Sequence, residues 1–259
     1  MPIPLWELIN VVALYRDDAL VLRLHKLGEA DRIVTMLSHH HGKLRAVARG
    51  VAKTTSRIGA RLEPFNHVDV QCYAPNAPRS SLHSVRQTET ITPYGKHLMD
   101  NYPRYTAASA IAETAERLSG DEGEPAPQLF SLTVGALRAM SGAEHTPSLV
   151  LDAYLLRAMA IAGWAPALVE CAVCGREGPH PAFSVPAGGA VCSGCRPAGS
   201  VSPSVGTYSL MVALQRGDWA TADGSPSSAQ REASGLIAAH LQWHTERGLR
   251  SLPLVHRTQ

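Results

Sequence analysis

The sequence predicts an α+β multidomain protein: a small N-terminal β unit, barrel or sandwich, then an α-helical domain into which a four-cysteine hairpin is inserted. Three observations carry that prediction. Short strand-like runs, some alternating apolar with polar residues, fill the first third of the chain, and capped, alanine- and leucine-rich runs occupy the remainder. Two Cys-x-x-Cys pairs, Cys171/Cys174 and Cys192/Cys195, stand seventeen residues apart between two of those helical runs.

The strands come first. Ala19-Leu-Val-Leu-Arg-Leu-His25 is rich in strand formers, Ile33 to Leu37 is a second run, and Lys43 to Arg49 alternates. In that third run Leu44, Ala46 and Ala48 fall on one face and Lys43, Arg45 and Arg49 on the other, so one face is core and the other wet and basic. Phe65 to Tyr73 alternates again. The proline-containing stretch Ala74 to Arg79 breaks the chain, and a fifth strand runs near Leu82 to Thr90.

Helices follow. Arg104 to Leu118 is alanine-rich, Asp121-Glu-Gly-Glu-Pro-Ala-Pro127 is an exposed break, and Gln128 to Met140 is the next helix. Thr146-Pro147 reads as N-cap and first helical position of a helix to Ala162, with Gly163 as its stop. Only Asp152 and Arg157 interrupt its apolar surface between Leu149 and Ile161, which predicts burial. Ser202-Pro203 is expected to open a helix to Gln215, and Ser227 to Arg247 the last one.

Between Ala162 and Ser202 lies the metal signal. Two cysteines three apart turn both sulfurs into one tight loop, and two such loops supply the four ligands of a tetrahedral ion, the arrangement zinc prefers. Gly175 and Gly194 sit beside the sulfurs, and Phe183-Ser-Val185 with Gly188-Gly189-Ala-Val191 reads as two short strands joined by a glycine turn. Disulfides or a redox Cys-x-x-Cys are the competing readings. The N-terminus has neither a basic n-region nor a small-residue cleavage site, so a cytoplasmic location with reduced thiols is expected and a structural Zn2+ is favoured. Four thiolates leave no open position for water, so the ion would brace the hairpin rather than catalyse. Cys72 alternates with Val68 and Val70 and reads as a small core residue.

Charge supplies the functional signal. The 259 residues carry a net charge of +2, but residues 1 to 80 hold eleven Lys/Arg against seven Asp/Glu. From Arg32 to Leu62 there are seven basic residues, three histidines and no acid. Such a field favours a polyanion, whereas a merely solvated face usually mixes both signs. Arg49, Lys53, Arg57 and Arg61 recur every fourth residue and would crowd one edge whether helical or looped. Nearby aromatics are sparse, only Tyr15, Phe65 and Tyr73, which predicts binding through phosphate contacts with little sequence readout.

Catalytic spacings are missing: no His-Glu-x-x-His, P-loop, Gly-x-Ser-x-Gly or dinucleotide fingerprint occurs. His244-Thr-Glu246 is half of a zinc-deaminase signature, but it follows the cysteines instead of preceding them, and Glu170 stands where a proline is required. His240 and His244, one turn apart, read as packing residues before a metal pair. His39-His40-His41-Gly42 reads as a turn between strands.

Several segments fall in a recognisable order: Tyr15-Arg-Asp-Asp-Ala-Leu-Val-Leu-Arg23, Gly28-Glu-Ala-Asp-Arg-Ile-Val-Thr35, Gly42-Lys-Leu-Arg-Ala-Val-Ala-Arg-Gly50 and Arg57-Ile-Gly-Ala-Arg-Leu-Glu-Pro-Phe65. On these the chain resembles the RecO family of bacterial recombination mediators. Tyr154 to Trp164 and Ala239 to His244 are similar to its actinobacterial, zinc-bearing branch. The resemblance implies an OB-fold β-barrel over 14–92, a helical domain over 93–259 with a zinc hairpin at about 168–200, and residues 1–13 as a poorly ordered extension. It implies no enzyme activity. It implies binding of single- and double-stranded DNA, annealing of complementary strands at the nucleoid, and RecA loading with RecR and the C-terminal tail of single-strand-binding protein. Arg32, Lys43, Arg45, Arg49, Lys53, Arg57 and Arg61 are the DNA-binding residues expected, and Cys171, Cys174, Cys192 and Cys195 the metal ligands. A zinc-ribbon RNA-binding or transcription regulatory factor is the alternative, and a metal-dependent hydrolase a second.

Overall fold

The computed structural model describes residues 14–52, 56–74 and 82–255; residues 1–13 and Lys53 lie outside them. The chain forms two compact units. Of the described residues, one unit holds those up to Gly95 together with residues 119–130, and the other holds residues 96–118 and those from Ser131 onward.

The first unit is a closed five-stranded barrel. Its strands are β1 (Leu14–Leu27), β2 (Asp31–Ser38), β3 (Gly42–Ala48), β4 (His67–Tyr73) and β5 (Leu82–Thr92), in the order β1-β2-β3-β5-β4 with β1 closing on β4. All pairings are antiparallel except β3 with β5. This is the OB-like barrel order, and it leaves no open edge. The inward positions that alternation selects on β3 and β4, Ala46, Ala48, Val68, Val70 and Cys72, share one buried cluster with Ala19, Val21, Val34 and Met36 of β1 and β2.

Two boundaries move for physical reasons. β1 is twice as long as the predicted run because it pairs with β4 through Leu14–Leu20 and with β2 through Ala19–Leu27, with a bulge between Val21 and Arg23 bending it round the barrel. β4 starts at His67, because Phe65 adopts φ +73°, a left-handed corner incompatible with a strand. A short helix, α1 (Arg57–Arg61), bridges β3 and β4, capped by the Ser56 hydroxyl, which accepts from the Gly59 amide at 3.1 Å.

After α2 (Tyr94–Leu98), the helices are α3 (Tyr102–Leu118), α4 (Pro127–Gly142), α5 (Pro147–Ile161), α6 (Val205–Arg216), α7 (Trp219–Asp223) and α8 (Ser227–Thr245). The helical unit is built round α5, which is buried from Ser148 to Leu156, as its nearly uninterrupted apolar surface requires. Its two charged residues are accommodated separately. Buried Asp152 accepts the Ser234 hydroxyl of α8, and Arg157 donates to the Leu214 and Gln215 carbonyls at the end of α6. α6 begins later than Ser202 predicts: Ser204 is the cap, its hydroxyl accepting the Thr207 amide at 3.1 Å. No described helix is long and apolar enough to cross a membrane.

Candidate metal centre and nucleic-acid interface

The four cysteines converge. Their sulfurs all lie within 4.8 Å of one another, the one such group found among the described residues, and Cys174 Sγ is 3.9 Å from Cys192 Sγ. A tetrahedral ion with bonds of about 2.3 Å sets its ligands roughly 3.8 Å apart, so the tetrad fits an ion of zinc's size and softness.

The backbone builds the tetrad from local turns. In the first knuckle the Cys171 amide donates to the Arg176 carbonyl at 2.8 Å and the Gly175 amide to the Cys171 carbonyl at 2.9 Å, with Gly175 at φ +69°. In the second, the Cys195 amide donates to the Cys192 carbonyl at 3.1 Å. Strands β6 (Ala182–Ser184) and β7 (Gly189–Val191) form the hairpin between them. Gly189 cannot be replaced freely, since a Cβ there would stand 2.3 Å from the Ala167 carbonyl oxygen. Ala172 donates to Ala190 and Ala190 to Ala167, both at 2.8 Å, which ties the first knuckle across β7.

Electrostatics point the same way. Backbone amides of Cys192 and Cys174 hold the Cys171 thiol down to about 6, whereas the contact with Cys192, then Cys174, pushes Cys195 up to about 12. The amides favour ionisation at one corner and crowding opposes it at another. A cation at the centre would remove the conflict. Among the described residues no fifth ligand joins the four sulfurs: His240 is buried with Nε2 on the Trp164 carbonyl at 3.0 Å, and His244 stacks on Trp164, so both are packing groups. Tyr208 and His240, which the sequence did not single out as hairpin contacts, face it: Tyr208 donates its hydroxyl to Ala182 O at 2.7 Å, and the His240 ring lies 6.2 Å from that of Phe183.

The basic residues are distributed less simply. Lys43 and Arg45 point outward from β3 as the alternation requires, but neither is free. Lys43 Nζ donates to the Gly120 carbonyl at 2.6 Å, and Arg45 pairs with Glu122 at 3.4 Å. Arg61 donates to the Thr88 carbonyl of β5, and Arg32 to the carbonyl of Asp31 at 2.9 Å. Arg49 and Arg57 are exposed and make no hydrogen bond or ion pair among the described residues. The every-fourth-residue stripe is not one helix: α1 carries only Arg57 and Arg61, and Arg49 sits in the turn after β3. The sequence reading did not name Lys26, which faces Arg32 directly across the β1–β2 pair. Like charges set opposite each other are unfavourable unless an anion is near.

Of the three aromatics near the basic stretch, Tyr73 is half-buried at the end of β4 and the other two are committed elsewhere. Thr35 and Leu37 are buried on β2, Phe65 is buried, and Tyr15 bonds His83 Nδ1 at 2.7 Å. The histidine turn between β2 and β3 is internally committed: Asp17, buried in β1, accepts from His40 Nδ1 at 2.9 Å and His41 Nδ1 at 2.6 Å. Burial raises the Asp17 carboxyl, but the bonds from His41, His40 and Ser38 outweigh it and hold the group below the usual carboxylate range.

Two family models match. That described as Recombination protein O N terminal covers residues 12–94, and that described as Recombination protein O C terminal covers residues 99–253.

Proposed function

Since the chain belongs to the RecO family of DNA repair and recombination mediators, we propose that it binds single- and double-stranded DNA through the basic side of its barrel and anneals complementary strands. The observation that carries this reading is the placement of the acid-free stretch: a closed barrel buries its apolar alternates and leaves Arg49 and Arg57 in solvent. Annealing asks for no acid, base or nucleophile. A cationic surface neutralises two phosphate backbones at once and lowers their repulsion, while base pairing supplies specificity. The protein therefore acts as a binding mediator rather than an enzyme, working at the nucleoid in the cytoplasm.

Lys43, Arg45, Lys53, Arg61 and Arg32 join Arg49 and Arg57 in this interface. RecR and the C-terminal tail of single-strand-binding protein are its protein partners, and RecA is loaded through them. The cysteine tetrad holds one structural Zn2+, which joins the two knuckles of the hairpin.

Annealing of complementary oligonucleotides across a salt series, with metal content measured on the same sample, tests the reading. The expected result is annealing faster than the protein-free control, falling steeply with salt, and one zinc per chain. A sample that leaves DNA unbound even in dilute buffer would refute it.

A further inference from the structure

The acidic break after α3 lies on the barrel, not away from it. Residues 119–130 belong to the same compact unit as the strands, and they cross the outward side of β3. Three close approaches fix the crossing. The Gly123 amide donates to the Lys43 carbonyl at 3.0 Å, Lys43 Nζ donates to the Gly120 carbonyl, and a Cβ at Gly42 would fall 1.7 Å from the Glu124 carbonyl oxygen. Gly42, at φ +60°, is thus needed twice, for the hairpin and for this close approach. The far end of the segment is anchored by Phe130, buried, with its ring 5.3 Å from that of His39. Its middle, Asp121 to Glu124, is exposed and carries three carboxylates.

From this arrangement we infer that residues 120–124 form a strap that competes with phosphate for β3, making Glu122 a determinant of DNA affinity. The inference rests on the DNA-binding reading above. A phosphate chain approaching the barrel meets the exposed Arg49 and Arg57 directly, but reaches Lys43 and Arg45 only by displacing the strap. The displacement is feasible, because the Arg45–Glu122 pair at 3.4 Å is partly exposed on both sides, and such pairs are weak and exchangeable. Phosphate offers the guanidinium a two-oxygen partner in its place.

The same strap keeps the basic strand from presenting its full charge to any passing polyanion. It therefore lowers affinity without removing the site, a useful property for a protein that must release the duplex it forms.

A double-mutant cycle tests this, using a fluorescent single-stranded oligonucleotide and wild type, Glu122→Ala, Arg45→Ala and the double variant, all checked for an unchanged melt. Glu122→Ala is expected to tighten binding about two- to fivefold, the equilibrium factor of an exposed ion pair, and to change nothing when Arg45 is already alanine. In parallel, hydrogen exchange at the Gly123 amide of the wild type should accelerate on saturation with the oligonucleotide, as the bond to Lys43 opens. An equal gain in the Arg45→Ala background would reduce the effect to long-range charge and overturn the strap, as would no gain, or a Gly123 amide that stays protected. If Arg49→Ala weakens binding while Glu122→Ala is silent, only the strap is rejected. If no variant binds DNA, the functional reading and the strap fall together.

Discussion

Stripping the metal from the cysteine tetrad should loosen the hairpin and lower the melting point of the helical unit without dismantling it. The buried cluster around the tetrad is small: Cys171, Ala182, Val191 and Cys192, with Ala187 and Cys195 at its margin. So few methyl groups cannot hold some thirty residues of loop against their conformational entropy, and an ion held by the proposed tetrad would supply the difference. What the bundle loses with the hairpin can be estimated from its two anchors. Phe183, 1% exposed, contributes about 1.5–3 kcal/mol by burial, and the Tyr208–Ala182 hydrogen bond about 0.5–1.5 kcal/mol. Together these give roughly 2–4.5 kcal/mol, or a fall in midpoint of about 4–18 °C for a unit of this size. α5 should survive, since its buried row and the Arg157 bonds to α6 do not involve the hairpin. The assay is a thermal melt before and after a high-affinity chelator, with elemental analysis confirming removal and hydrogen exchange comparing residues 167–201 with 147–161. An unshifted melt in fully stripped protein, with the hairpin amides still protected, would refute the reasoning. Cys171→Ser should reproduce the loss of stability and leave DNA affinity nearly unchanged, because the tetrad and the basic residues belong to different compact units.

Arg49→Ala and Arg57→Ala should each weaken DNA binding alike on all sequences and lower the salt slope on single strands by about 0.7, so that the deficit of the double variant shrinks about sevenfold between 50 and 200 mM salt. A sequence-selective loss, or an unchanged slope, would count against phosphate contacts. Asp17→Asn tests the buried carboxylate behind the histidine turn. The fold holds Asp17 ionised at a pH where the unfolded chain has begun to protonate it, so its contribution is complete above the ordinary carboxylate value of about 4 and drains away as the pH drops through the depressed value. The melting advantage of wild type over Asp17→Asn should therefore be present at neutral pH and vanish in strong acid; an advantage independent of pH would contradict it.

Much of this was legible along the chain. The strand alternation located the barrel's inner face, because the side of a strand that meets a core is written every second residue. The knuckles were equally legible, since each is a four-residue turn whose geometry depends on neighbours in sequence. Less legible were the boundaries set by distant partners: β1 runs on because it must pair on both sides, and Phe65 leaves the strand pattern because the chain turns a corner there. The exposed break that the sequence predicts at Asp121–Pro127 is exposed, but nothing local to it announces that the segment returns to β3, where Glu122 meets Arg45.

The amino-acid order by itself determined which faces are apolar, where four thiols can meet, and that positive charge gathers near the amino end. Only the tertiary structure decided which of those charges remain open to solvent. Lys43 is met by a carbonyl 77 positions away and Arg45 by a carboxylate at the same separation, while Arg49 and Arg57 are left exposed. Periodicity records that a face turns outward; what covers it depends on chain segments brought back by the fold, and no local pattern encodes that return.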